Sequence, residues 1–421
     1  MLALWCAASG LHAQTLEQAG RHMIANDFAA ARLAAESISV QSPQEEVEQA
    51  WIIALSHMRE DAPRAALPYL ERTVTLAPQV TRFRLELARA LYLTEQDERA
   101  RYHFDSALAG QLSLAEITAV QEYLTAMDRR KTWQGHASFA IVPQSNPTRA
   151  SGESHVLLGG AIPLPLEQAK SGIGADLGLG ATWLPHLGRD LRGRVHVMAH
   201  GQIFEDRALN TWRIRTELGL LSLGDHDRQI GAGVNLQAAY ARSGRVMQGL
   251  GLHASFQRRY GAKTLVALRA DLDRLRYPQV TNKAMDGWRA ALDLRATHLA
   301  SPQLRLDGGI RLAKHNARRD FNRRRDVSLR FGGQYAFAGG VTAGLMASIG
   351  QTRFGAPNPL LPQFGAARDV TGSLNANLLH REFSLQGFAP VLQFGVERQS
   401  SNIPSRSYTN FRASLGATRS F

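Results

Sequence analysis

Residues 263–275 read KTLVALRADLDRL, and the way this stretch alternates decides what kind of chain it belongs to. In an extended strand Val266, Leu268, Ala270 and Leu272 point one way and Ala267, Arg269, Asp271 and Asp273 the other, because successive side chains leave opposite faces. A soluble sheet with one buried face reads the same. Length separates the two cases. From Trp133 onward the chain carries about fourteen alternating segments, mostly about 11–15 residues long, whereas an ordinary strand has about five or six. A tilted membrane-crossing strand needs about nine to eleven residues plus its ends. Residues 171–184, SGIGADLGLGATWL, show the same period, with Ile173, Leu177, Leu179 and Trp183 set against Gly174, Asp176, Gly178 and Thr182.

The connections form a second pattern. Those after even-numbered strands are short: LGDHD (223–227), YGA (260–262), ASP (300–302) and FAGG (337–340). Those after odd strands are often longer, as in PQVTNKAMDG (278–287), NARRDFNRRR (316–325) and GAPNPLLPQFGAA (355–367). Short inner turns and long outer loops are the signature of an outer-membrane barrel. The link at Ser243–Gly244 is an exception, outward yet tiny. The segment HVLLGGAIPLPL (155–166) is assigned to the first outer loop, since an even strand count returns both ends to the periplasm. The last strand, with Phe411 and Leu415 alternating toward a terminal Phe421 and with Tyr408 before them, reads as the signal for the barrel assembly machinery.

Before Trp133 the period is helical. In WIIALSHMREDAPRAALPYLERTVTLAP (51–78), Ala54, Ala66, Leu70 and Pro78 stand at tetratricopeptide spacing. Ala88, Ala100, Phe104 and Leu112 recur about 34 residues on, and Ala19, Ala31 and Pro43 form an earlier copy. Small residues at these places let antiparallel helices approach closely and stack. LSLAEITAVQEYLTAMDRR (112–130) would cap the array. The expected fold is therefore α + β in two domains: a tetratricopeptide-like α-solenoid over 15–130, then an antiparallel transmembrane β-barrel of about 14 strands over 132–421. In the first, the front helices would present a groove containing Trp51, Arg59, Arg82, Arg89 and Tyr92, suited to an extended acidic peptide. Packing of Trp51 and Tyr92 between helices is the competing reading.

The chain has 421 residues, 44% hydrophobic and 20% charged, and a formal net charge of +13. That charge admits nucleic acid, an anionic membrane surface or an acidic substrate. No nucleic-acid recognition motif accompanies it, so nucleic acid is set aside. The opening MLALWCAASGLHAQ (1–14) reads as an export signal over 1–13, without a basic start, and contains the single cysteine, Cys6. Trp5 directly before Cys6 argues against lipidation. Catalytic constellations are not evident. His196 and His200 share a strand face without a third ligand at metal-site spacing, and GIGADLG lacks the helix a dinucleotide loop requires. The expectation is no enzyme, no cofactor and no metal.

Helical repeats joined directly to a barrel resemble the surface lipoprotein assembly modifier (Slam) family. The resemblance rests on the junction YLTAMDRRKTWQGHASF (123–139) and on the last two strands, FAPVLQFGVERQSSNIPSRSYTNFRASLGATRSF (388–421). In that stretch Pro390, Glu397, Arg398, Ser401, Asn402, Pro404, Tyr408, Arg412, Arg419 and Phe421 match the family's pattern. After the first strand only Ser145, Asn146 and Pro147 stand where the family has a longer motif. The resemblance implies an outer-membrane translocon of a Gram-negative bacterium. It would carry a surface lipoprotein or related soluble secreted protein outward, its helical domain engaging the cargo in the periplasm. A polysaccharide export porin is the alternative, with lumen arginines such as Arg269 and Arg412 passing an anionic chain. A passive porin is the second. Outer-membrane lipids and lipopolysaccharide complete the expected partners, with Arg318, Arg319, Arg323, Arg324 and Arg325 crowding one outer loop.

Overall fold

The computed structural model describes residues 16–130, 132–337, 341–380 and 388–420. The leader at 1–13, Cys6 and Phe421 lie outside the described residues. The chain falls into two compact units, one mainly helical that runs to Met127 and also takes in the turn residues Leu299–Leu304, and one, beginning at Asp128, that is the barrel.

The helical unit runs α1 (16–24), α2 (Phe28–Glu36), α3 (Pro43–Arg59), α4 (Pro63–Leu76), α5 (Thr81–Leu93), α6 (Asp97–Leu108) and α7 (Leu114–Arg130). The helices follow one another as hairpins, and one left-handed residue closes each front helix: Asn26, Asp61 and Glu95, with φ of 59°, 57° and 62°. Ala19, Ala31, Ala54, Ala66, Ala88 and Ala100 are all fully buried, as are Leu70 and, to within 1%, Phe104. No longer side chain fits where two backbones approach this closely, which is why alanine recurs with the repeat. This arrangement is consistent with tetratricopeptide stacking. Ser113 opens α7 with a reciprocal cap: Glu116 N–H donates to Ser113 Oγ at 3.3 Å, and Ser113 N–H donates to Glu116 Oε2 at 2.9 Å. That amide, then the Ser113 hydroxyl and the nearby Arg82, holds the Glu116 carboxyl below the usual carboxylate range.

The second unit is a closed antiparallel barrel of 14 strands. Its strands are β1 (Trp133–Gln144), β4 (Gly172–Trp183), β5 (Leu191–Phe204), β6 (Thr211–Gly224), β7 (Arg228–Ala241), β8 (Gly244–Tyr260) and β9 (Thr264–Arg276). The circuit continues through β10 (Gly287–Leu299), β11 (Leu304–Ala317), β12 (Arg324–Ala336), β13 (Val341–Pro357), β14 (Ala366–His380), β15 (Ala389–Ser401) and β16 (Tyr408–Ser420). β2 (His155–Leu158) and β3 (Ile162–Pro165) pair only with each other, so HVLLGGAIPLPL is a hairpin of the first outer loop. Its Gly159 N–H donates to Leu360 O, and Gln363 Nε2 donates to Leu157 O, which ties that loop to the β13–β14 loop.

β1 closes the barrel on β16 from His136↔Ser420 to Gln144↔Arg412. Beyond the ladder the seam is fastened by side chains. Phe411 N–H donates to Ser145 Oγ at 2.8 Å, Asn146 N–H donates to Asn410 Oδ1 at 2.9 Å, and Asn146 Nδ2 donates to Thr409 O. At the opposite end the buried Arg192 donates to the carbonyls of Gly188 and Arg129, at 2.8 and 2.6 Å, and orders the β4–β5 turn.

The outward face is apolar and exposed, as in Leu179, Leu218, Leu250, Leu292, Ile349 and Leu415. Aromatic side chains flank it at both ends: Trp133, Trp183 and Tyr260 on one side, Trp212, Tyr240 and Trp288 on the other. Such girdles mark the two membrane interfaces. On β9, Leu268 and Leu272 are exposed outward and Asp273 is fully buried within. Leu268→Arg therefore sets a charge against lipid and is expected to cost about 2–4 kcal/mol near the bilayer centre. Ala267→Arg faces inward opposite Arg295 and is expected to lose about 1 kcal/mol at most. The heat-dependent gel shift of the two purified variants measures the difference. Equal damage would contradict the register.

Candidate functional site

On the helical unit the exposed positions of α3 and α5 place Arg59, Arg82 and Arg89 at the surface. Arg89 has Glu86 beside it at 3.7 Å. The aromatic members sit differently. Trp51 lies 4.6 Å from Phe83, ring centre to ring centre, bridging α3 and α5. Tyr92 meets Tyr123 edge-on at 4.8 Å, and Tyr123 stacks on Phe104 at 5.1 Å. Both rings thus pack between helices while staying half-exposed. Arg84, between the two surface arginines of α5, is buried, and its Nε donates to Pro78 O at 2.8 Å.

The lumen carries the chemistry that sequence reading missed. Arg215 Nη2 donates to Asp271 Oδ1 at 2.6 Å and Arg215 Nε to Glu217 Oε1 at 2.8 Å. Arg269 Nη2 donates to Glu217 Oε1 at 2.6 Å, and its Nε donates to Asp271 Oδ2 at 3.0 Å. Two arginines and two carboxylates thus close a ring between β6 and β9, across the intervening β7 and β8. The strands between make room because they carry glycine on this side. A Cβ on Gly251 of β8 would stand 2.3 Å from Asp273 Oδ1, and one on Gly233 of β7 would meet Leu218 O of β6 at 2.2 Å. A parallel pattern continues round the wall, with Arg289 bonded to Asp273, Arg330 to Asp293 and Arg406 to Asp369. The sequence signal was present but unused: Arg213, Arg215 and Glu217 alternate on β6 as Arg269, Asp271 and Asp273 do on β9.

Toward the outer end, β1, β5, β6 and β14–β16 enclose a cavity of about 370 Å³ lined by Arg149, His200, Arg213, Asn375, Glu397 and Arg412 among others. Arg149 pairs with Glu397 at 3.1 Å and lies over the Tyr408 ring, whose hydroxyl donates to Glu397 Oε1 at 2.6 Å. Arg412 Nη2 donates to the neutral Asn375 Oδ1. Of the two lumen arginines named above for an anionic chain, Arg269 is held by Glu217 and Asp271, whereas Arg412 has no acidic partner among the described residues. His196 shares a hydrogen bond with Thr182 at 2.8 Å, and among the described residues no group of three potential metal ligands forms.

The final-strand residues separate by face. Phe411 and Leu415 are 59% and 63% exposed on the outward face, while Tyr408 turns into the lumen.

The family model described as surface lipoprotein assembly modifier matches residues 133–421. Surface lipoprotein assembly modifier 1 of Haemophilus influenzae is 31% identical over 67 residues, which are 16% of this chain and 14% of that protein. Among solved structures, the outer membrane channel DcaP of Acinetobacter baumannii matches at 11% identity and a TM-score of 0.41, over 69% of this chain and 96% of that one. OmpT of Vibrio cholerae matches at 11% and 0.37, over 69% and 99%.

Proposed function

The chain belongs to the surface lipoprotein assembly modifier family, and on that premise we propose that this outer-membrane barrel assists the export of a surface lipoprotein, or a related soluble secreted protein, to the cell surface. In this reading the helices lie in the periplasm and engage the cargo before the barrel does. The observation that carries it is the joining, in one chain, of the family's barrel to a hairpin array whose Arg59, Arg82 and Arg89 remain exposed. Assembly and transport, not catalysis, follow from the family. The test is whether an exported protein from the same cell reaches the surface only when this chain is present, scored by antibody on intact cells.

Arg82 and Arg89 stand seven residues apart on α5 and so share one face. Replacing both with glutamate is expected to weaken capture of an acidic cargo segment by about five- to tenfold, most strongly at low salt. The Arg82→Gln, Arg89→Gln pair should fall between the two. Binding of purified cargo to the full chain, measured at two ionic strengths, checks the order. Equal affinities across the three proteins would remove these arginines from the cargo site.

A further inference from the structure

The barrel treats its arginines in two ways. Those facing the lumen are mostly matched with acids, as in Arg215, Arg269, Arg289, Arg330 and Arg406. On the outward face of β11–β14 a set of cations is left alone.

Arg353 of β13 stands directly opposite Arg368 of β14. Gly355 N–H donates to Arg323 O at 2.8 Å, and Thr352 Oγ1 donates to Asp326 Oδ1 at 2.7 Å. Counting along the ladder from either bond sets Arg325 of β12 opposite Arg353. Ala336 N–H donates to Gln303 O at 2.9 Å, and the same count sets Lys314 of β11 opposite Arg325. All four side chains are exposed and share the outward parity of their strands. The structure also corrects the grouping of Arg318, Arg319, Arg323, Arg324 and Arg325 on one loop. β12 already begins at Arg324, which turns Arg324 toward Asp326 and Arg325 outward.

Four cations side by side on adjacent strands span about 14 Å, at about 4.8 Å per strand. Like charges directly opposite one another destabilise a sheet, and among the described residues none of the four has an acidic partner. Each sits just beyond the apolar band: Lys314 follows Leu312, Arg325 precedes Val327, and Arg368 precedes Val370 by two residues, while Arg353 lies four beyond Ile349. Simple snorkelling of long side chains to water would explain one such cation. It does not explain four set directly opposite one another on neighbouring strands, each just past its strand's apolar run. Arginine's planar fork matches phosphate oxygens, and an anion placed across the row converts mutual repulsion into shared attraction.

We propose that Lys314, Arg325, Arg353 and Arg368 form a binding site on the outside of the barrel for the phosphate groups of an outer-leaflet lipid headgroup. This rests on the orientation adopted above, in which the loops between odd and even strands face the cell exterior. The site anchors the β11–β14 wall to its lipid shell and is separate from the cargo path.

The experiment uses the full chain in detergent, offered lipid A carrying its phosphates or the same lipid with them removed, and measures bound lipid by native mass spectrometry. The wild-type chain is expected to retain the phosphorylated lipid and release the other. Arg353→Gln with Arg368→Gln should weaken retention by about tenfold, the size expected for losing two charge-assisted contacts in part. Adding Lys314→Gln and Arg325→Gln should abolish it. All variants should keep the heat-dependent gel shift of an assembled barrel, since removing like charges relieves repulsion. Equal retention of both lipids, or unchanged retention in the fourfold variant, would overturn the proposal. So would displacement of the phosphorylated lipid by an acidic cargo segment, since the row would then belong to the cargo path. Surface display of cargo is scored separately: normal display with lost lipid retention in the variants supports this site, whereas display that does not depend on the presence of the wild-type chain counts against the transport reading and leaves this site standing.

Discussion

Deletion of residues 15 to 110 is expected to leave an assembled barrel and to abolish surface display of the cargo. The barrel unit begins at Asp128, and its own hydrogen bonds close it: the β1–β16 ladder, the Ser145 and Asn146 fastening, and the Arg192 contacts with the Arg129 and Gly188 carbonyls. None of these uses a residue before 128. The helical unit has a separate core, in which Ala54, Ala66, Leu70, Ala88, Ala100 and Phe104 are buried among one another's helices. Removing it is therefore expected to leave the membrane fold intact. The heat-dependent gel shift reports the barrel, and antibody labelling of intact cells reports the cargo. A deletion strain that displays its cargo normally would refute the role assigned to the helices. Loss of extracellular polysaccharide with surface protein unchanged would decide for a sugar exporter. No change in either would leave a passive pore.

The second large effect is expected inside the barrel. Glu217 is 3% exposed and receives Arg215 and Arg269 together, with Arg194 and His253 at 3.7 and 3.9 Å. Glu217→Ala leaves that concentration of positive charge with Asp271 as its remaining close acid. Breaking a buried pair by removing one partner costs about 3–5 kcal/mol, because the orphaned charge stays behind. Asp271 keeps the expected loss near the lower end, about 3 kcal/mol. The double change Glu217→Ala, Arg269→Ala should recover part of it, since the cost lies in the excess positive charge left around Asp271 and not in the missing carboxylate itself. Because barrels unfold irreversibly, the readout is the temperature at which the folded gel band disappears after a fixed heating time. A single variant as heat-resistant as the parent would mean that solvation by lumen water, not the Glu217 charge, is what stabilises these arginines.

Strand-by-strand alternation and the contrast between short and long connections already carry the barrel and its strand number in the sequence, because each strand must satisfy the membrane locally. The alanine spacing of the hairpins is legible for the same reason: close helix approach is enforced within one repeat. Even the face of Tyr408 follows from parity, since it is odd-spaced from Phe411 and Leu415 and so points the other way. Which charges meet is another matter. The ring of Arg215, Glu217, Arg269 and Asp271 joins β6 to β9 over two glycine-bearing strands, and Lys314, Arg325, Arg353 and Arg368 align across four. Local periodicity assigns a residue to a face, but its partners depend on the register of every strand between and on how tightly the wall curves. Those are properties of the closed sheet as a whole, and only the tertiary structure decides them.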